Sequence, residues 1–151
     1  MRSRPDLPAG PEGPLTLAFP GDMRSVRRAL RHVITAAPLR TLSDADRGTT
    51  ELVLAEVLNN IVEHAYAGRS GRIALSLDLC GPGLAVRITD DGLAMPGGAV
   101  PAGLLPTDPA APAATLPEGG FGWFLIKSLT RDLAYDRKDG QNHLSFTLPI
   151  G

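Results

Sequence analysis

The chain has 151 residues, of which 43% are hydrophobic and 21% charged, and its formal net charge is −1. That length and composition fit one globular domain and are too short for two. The near-neutral balance argues against general nucleic-acid binding, which calls for a strongly basic face, and a single cysteine, Cys80, excludes an internal disulfide framework.

Residues 1–13 combine two arginines with Pro, Gly and Asp, the composition of a loosely held tail ahead of a domain over 14–151. No stretch there resembles a signal peptide, and no window approaches the ~18 apolar residues that span a bilayer. A cytoplasmic protein without membrane contact is expected. Leu15–Phe19 reads as a short strand stopped by Pro20-Gly21, and Asp22 is placed to cap a helix over Met23–Ala37. Met23, Val26, Leu30 and Val33 share one face of that helix, and Arg24, Arg27, Arg28 and Arg31 share the other. The basic stripe reads either as a solvated face or as a docking surface for an acidic partner. Ser43 and Asp46 resemble a capping box opening a second helix that runs to about Ala65.

Arg72–Leu79 and Leu84–Thr89 alternate with period two around Gly81-Pro82-Gly83, which predicts a hairpin with Cys80 as a buried, reduced thiol. From Leu93 to Glu118 all periodicity is lost and Pro, Ala and Gly dominate, as expected for a lid, a binding loop or disorder. Gly119-Gly120-Phe121-Gly122 then opens an apolar helix over Trp123–Thr130. Strands near Leu133–Arg137 and His143–Leu148 follow, joined at Asp139-Gly140. The order β-α-α-β-β-lid-α-β-β predicts an α+β fold: a single two-layer sandwich with a mixed, mostly antiparallel sheet and helices on one face.

Three places carry residues suited to chemistry. On the second helix Glu56, Asn59, Asn60, Glu63 and His64 share one arc, opposite Leu54, Leu58, Ile61 and Val62. A polar face in water explains that arc in part. Adjacent asparagines are poor helix formers, however, and a carboxylate and an amide four residues apart can face one small site, the amide oxygen suiting a hard cation such as Mg²⁺. At Ile88-Thr89-Asp90-Asp91-Gly92 a strand runs into two acids and a glycine. The acid can accept from an exocyclic amine such as adenine's, although Asp-Gly is also a common turn pair. Gly120 and Gly122 offer unhindered N–H groups at a helix start, an anion site in one reading and a hinge in the other. Neither a dinucleotide fingerprint nor a Walker A loop is present.

In order, these segments resemble the boxes of the GHKL superfamily of ATP-binding domains (the Bergerat fold), in the form found among anti-sigma-factor serine kinases. Glu56-Val-Leu-Asn-Asn60-Ile-Val-Glu-His64-Ala-Tyr66 resembles the N-box, Asp90-Asp91-Gly92-Leu93-Ala94 the Asp-x-Gly-x-Gly box, and Gly120-Phe121-Gly122 the final Gly-x-Gly box. The likeness spans about Leu15 to Ile150. It departs from the pattern at Ala94, where a second glycine is expected, and no late threonine matches around Gly140 to His143.

The resemblance implies a set of roles. Asn60 would bind Mg²⁺ and through it the phosphates of ATP, and Glu56 would be the catalytic general base or would orient the attacking hydroxyl. Asp90 would hold the adenine amine, Gly92 would pack on the ring, and Gly120, Phe121 and Gly122 would form the phosphate loop. It further implies a serine kinase whose substrate is a small anti-sigma-factor antagonist, with a sigma factor as second partner and a homodimer as assembly. A nucleotide-gated binding module without phosphotransfer is the alternative. The ATP-binding half of a histidine kinase is not expected for this chain alone: within it no long helix bearing a phosphorylatable His comes before the domain, and His32 lies within the first helix.

Overall fold

The computed structural model of the chain describes residues 13–101 and 120–151. Positions 1–12 of the expected tail and 102–118 of the expected lid lie outside the described residues. The elements, in order, are β1 (Leu15–Pro20), α1 (Met23–Thr35), α2 (Asp44–Asn60), β2 (Arg72–Cys80), β3 (Gly83–Asp90), α3 (Gly120–Leu129), β4 (Arg131–Lys138) and β5 (Gln141–Pro149). The five strands form one sheet in the order β1-β2-β3-β5-β4. Every pairing among the described residues is antiparallel, so the sheet expected to be mostly antiparallel is wholly so here.

Strand alternation decides which face of the sheet is covered. Ile73, Leu75 and Leu77 of β2, Leu84, Val86 and Ile88 of β3, and Leu144, Phe146 and Leu148 of β5 all point inward and are buried. They join Val26 and Val33 of α1, Val53, Leu54, Val57 and Leu58 of α2, and Trp123 and Ile126 of α3 in one core. The alternate residues, such as Ser76, Arg87 and Ser145, are half-buried or exposed, as on an antiparallel sheet with one solvated face. Cys80 falls on this outward set at the end of β2 and is exposed, not buried as the sequence pattern led one to expect. The result is the α+β sandwich of the GHKL type. Burying a leucine such as Leu58 completely contributes roughly 1.5–3 kcal/mol.

Local chemistry sets the helix ends. Asp22 caps α1 by accepting from the Ser25 N–H at 2.8 Å and its hydroxyl at 2.9 Å. Those bonds, the backbone one foremost, hold its carboxyl below the usual value. The helix stops at Thr35, two residues before the expected Ala37. Pro38 disfavours helical geometry at Ala37, and the Thr35 hydroxyl bonds back to the carbonyls of Arg31 and His32. Ser43 caps α2 by accepting from the Asp46 N–H at 3.1 Å. The carboxylate of Asp46 does not complete the box but accepts from the Gly151 N–H at 3.1 Å.

Candidate functional site

The expected single helix to Ala65 is two pieces: α2 ends at Asn60, and a widened π-helical turn, Ile61–Tyr66, follows. Such turns recur at functional sites because they re-aim side chains within a helix. Here α2 and the widened turn form a spine that the other motifs meet at different heights.

At one end Gly122 of α3 lies against α2. A Cβ built on Gly122 would sit 2.5 Å from Oε1 of Glu56 and 3.8 Å from Nδ2 of Asn60. A side chain at this position would push the Glu56 carboxylate aside, and the close approach joins the N-box to the Gly-x-Gly box. Glu56 is half-buried there. Asn60 is only 9% exposed, yet its Nδ2 is buried without a hydrogen-bond partner among the described residues. Leaving such a group unsatisfied costs about 1–3 kcal/mol, so it persists where a ligand completes the shell. Half a turn of the amide puts the oxygen where the nitrogen stands, in the same volume. A single neutral oxygen donor fits a hard cation whose other ligands come from phosphate and water. Among the described residues no cluster of three His, Cys, Asp or Glu side chains could hold a metal without such help.

At the other end Asp90 closes β3 on the inward face. Its cross-strand partner is Asn142 of β5, which donates to Asp90 Oδ1 at 2.9 Å. The Gly92 N–H donates to the same oxygen at 2.8 Å. Asp90 is 5% exposed. Burial pushes its pKa above the usual carboxylate value; the bonds from Asn142 and Gly92 and the charge of Arg137 oppose that, and Asp91 adds to it. Gly92 is also a close-approach glycine, since a Cβ there would lie 2.6 Å from the carbonyl oxygen of Ala65. The Leu93 N–H donates to that carbonyl at 2.8 Å, which docks the segment after β3 onto the widened turn. Tyr66 fastens the joint: its hydroxyl accepts from the Asp91 N–H at 2.9 Å and donates to the Arg72 carbonyl.

Five of the predicted site residues thus gather along one spine, with Glu56, Asn60 and Gly122 at one end and Asp90 and Gly92 at the other. Gly120 opens α3, and Phe121 follows it. Glu63 and His64, counted on the same polar arc, are exposed. The widened turn shifts everything after Asn60 off the 100° spacing that put them there.

Sequence reasoning missed Asn142, Tyr135 and Arg137. The tyrosine donates to Asn142 Oδ1 and accepts from the Met95 N–H at 3.0 Å. Arg137 donates to the Gly92 carbonyl at 2.6 Å and to Asn142 Oδ1 at 3.1 Å. A signal existed for Asn142. It shares the inward parity of Leu144, Phe146 and Leu148, and an amide at a core position calls for partners.

The sequence matches the family described as "Histidine kinase-like ATPase domain" over residues 19–148. Among curated proteins it is 30% identical, over 94 residues, to proteins named "Serine-protein kinase RsbW" from Bacillus cereus (strain AH187) and Bacillus anthracis (strain A0248). Each alignment covers 62% of this chain and 59% of the relative. The motifs and a match across most of the chain agree: the protein belongs to the histidine kinase-like ATPase domain family.

Proposed function

We propose that the protein is an ATP-dependent protein-serine kinase and anti-sigma-factor-like regulator that phosphorylates a small antagonist protein in a partner-switching system. The observation that carries this reading is the seat of Gly122 on Glu56 and Asn60, which puts a carboxylate beside the start of α3. The relatives named as serine-protein kinases support it.

In this reading the Asp90 carboxylate accepts from the adenine amine through Oδ2, since both of its described hydrogen bonds fall on Oδ1. N–H groups at the start of α3 face the phosphates, and Asn60 holds Mg²⁺ through its amide oxygen. Bound there, the ion would neutralise phosphate charge. Glu56 takes the proton of the partner's serine as its oxygen bonds to the γ-phosphorus. The bond from that phosphorus to the β–γ bridging oxygen breaks, and ADP leaves. Residues 93–118 act as the lid of a domain over 14–151, a sigma factor is the second partner, and the protein works in the cytoplasm as a homodimer. Among the described residues no helix is long and apolar enough to cross a membrane.

The test is transfer of labelled γ-phosphate from ATP to candidate antagonist proteins. Label on a partner serine supports the reading. Mg-ATP binding and partner capture without label would instead favour the nucleotide-gated module.

A further inference from the structure

Asn142 is the most heavily bonded side chain at the site, and the residue roles described above give it no task. It is 5% exposed, and all four hydrogen-bonding positions of its amide are used. Nδ2 donates to Asp90 Oδ1 at 2.9 Å and to the Leu93 carbonyl at 2.8 Å. Oδ1 accepts from the Tyr135 hydroxyl and from Arg137. The amide has one workable orientation. Rotated, it would set oxygen against the Asp90 carboxylate and the Leu93 carbonyl, and its NH₂ against the Arg137 guanidinium.

The partners of Asn142 also hold the segment that leaves the site. Arg137 bonds the Gly92 carbonyl and Tyr135 the Met95 N–H, so one amide ties Asp90 to three successive points of the chain from 92 to 95. An ordinary structural amide satisfies its own burial. This one spends a donor on the carboxylate oxygen that faces away from the base in the reading above.

We propose that Asn142 is a positioning residue that sets adenine selectivity, locking Asp90 so that Oδ2 alone meets the base and fixing the segment after Gly92 against the same point. The proposal rests on the assignment of Asp90 to adenine and deepens it. Asn142 donates to Asp90 without carrying charge, so the carboxylate keeps its acceptor character while its rotation is stopped. A cation at that position would compete with the adenine amine for the acid.

The test compares binding of Mg-ADP and Mg-GDP by calorimetry to the full chain, wild type and Asn142→Asp. This substitution keeps the size of the side chain but replaces both donors with acceptors. Near pH 8 it sets two carboxylates on one hydrogen-bond distance, and ADP affinity should fall about ten- to hundredfold with GDP little changed. Towards pH 6 the two acids share a proton, a donor onto Asp90 returns, and part of the ADP affinity is regained. Wild type should show no such recovery. The charged and titratable groups facing Asp90 are Arg137 from β4, Asp91 after β3 and Tyr66 from the widened turn, all retained in the variant.

An unchanged ADP-to-GDP ratio and pH profile in folded Asn142→Asp overturns the proposal while leaving Asp90 as the adenine acid if Asp90→Asn still loses selectivity. Wild type that does not prefer ADP overturns the proposal and the Asp90 assignment together. Should Asn142→Asp fail to fold, Tyr135→Phe carries the test. Loss of one bond to the amide should lower the ADP-to-GDP ratio about two- to tenfold, and no change overturns the proposal.

Discussion

The two ends of the spine are built on opposite plans. Around Asp90 the polar groups are joined: Asn142 is saturated, Gly92 is wedged on a carbonyl, and Tyr66, Tyr135 and Arg137 close the ring. Around Glu56 the described structure offers an orphaned amide on Asn60 and a glycine seated on the end of a flexible carboxylate. The first end is organised before any ligand arrives, which lowers the cost of binding but fixes what fits. The second leaves groups unsatisfied that a metal-bound phosphate can satisfy. In the proposed reading, recognition belongs to the rigid end, and chemistry to the end that is completed by its substrate.

The sharpest test of that division is Glu56→Gln. The amide keeps the size of the side chain and removes the proton acceptor, so phosphoryl transfer should fall about 10²–10⁴-fold with Mg-ADP affinity unchanged. Undiminished transfer would take Glu56 out of the reaction.

The two close-approach glycines should then fail differently. In Gly122→Ala the new methyl meets Glu56 Oε1, which can swing away. The fold should survive, and transfer should fall by about 10²-fold as the base is displaced. In Gly92→Ala the methyl meets the backbone of Ala65, which cannot move alone, and stability should drop by about 1–3 kcal/mol. Denaturant unfolding and transfer assays on both variants check the contrast. Equal destabilisation of the two would erase the distinction between a rigid end and a yielding one.

How much of this was legible in the sequence follows the same line. Periodicity located the strands and helices, because burial on one face leaves a mark every second or every third to fourth residue. The motifs singled out Glu56, Asn60, Asp90, Gly92 and Gly122, but did not show how Gly122 seats on α2 and Gly92 on the turn after it. The widened turn after Asn60 was invisible, since a single extra residue per turn leaves the local composition unchanged. The Asn142 network was also hidden. Tyr135, Arg137 and Asn142 share the β4–β5 hairpin, but Asp90 lies 52 residues before Asn142 in sequence, and the Asp90↔Asn142 register is what brings the acid to them. Cys80 was misjudged because it ends an apolar run, whereas it continues the outward parity of Ala74, Ser76 and Asp78 along β2.

Asp90→Asn probes the rigid end with smaller effects, and two of them have opposite signs. The variant keeps Oδ1 for Asn142 and Gly92 but presents NH₂ to the adenine amine, so Mg-ADP binding should weaken by about 1.5–3 kcal/mol with Mg-GDP less affected. Stability of the free protein should move the other way. Burial raises the pKa of Asp90 above 3.8, so the folded state holds this proton more tightly than the unfolded chain. Above the folded pKa the ionised, desolvated acid lowers stability; below 3.8 both states are protonated and it contributes nothing. The neutral amide removes that cost. Asp90→Asn should therefore be more stable than wild type near neutral pH, with the gap closing as pH falls towards 3.8. Saturating Mg-ADP should narrow or reverse the order, because it stabilises the wild type more. Denaturant titrations across that pH range, with and without Mg-ADP, read both signs. A variant less stable than wild type at neutral pH would mean that the ionised carboxylate supports the free fold, and Asp90 would then be a structural acid with no strain held in reserve for a base.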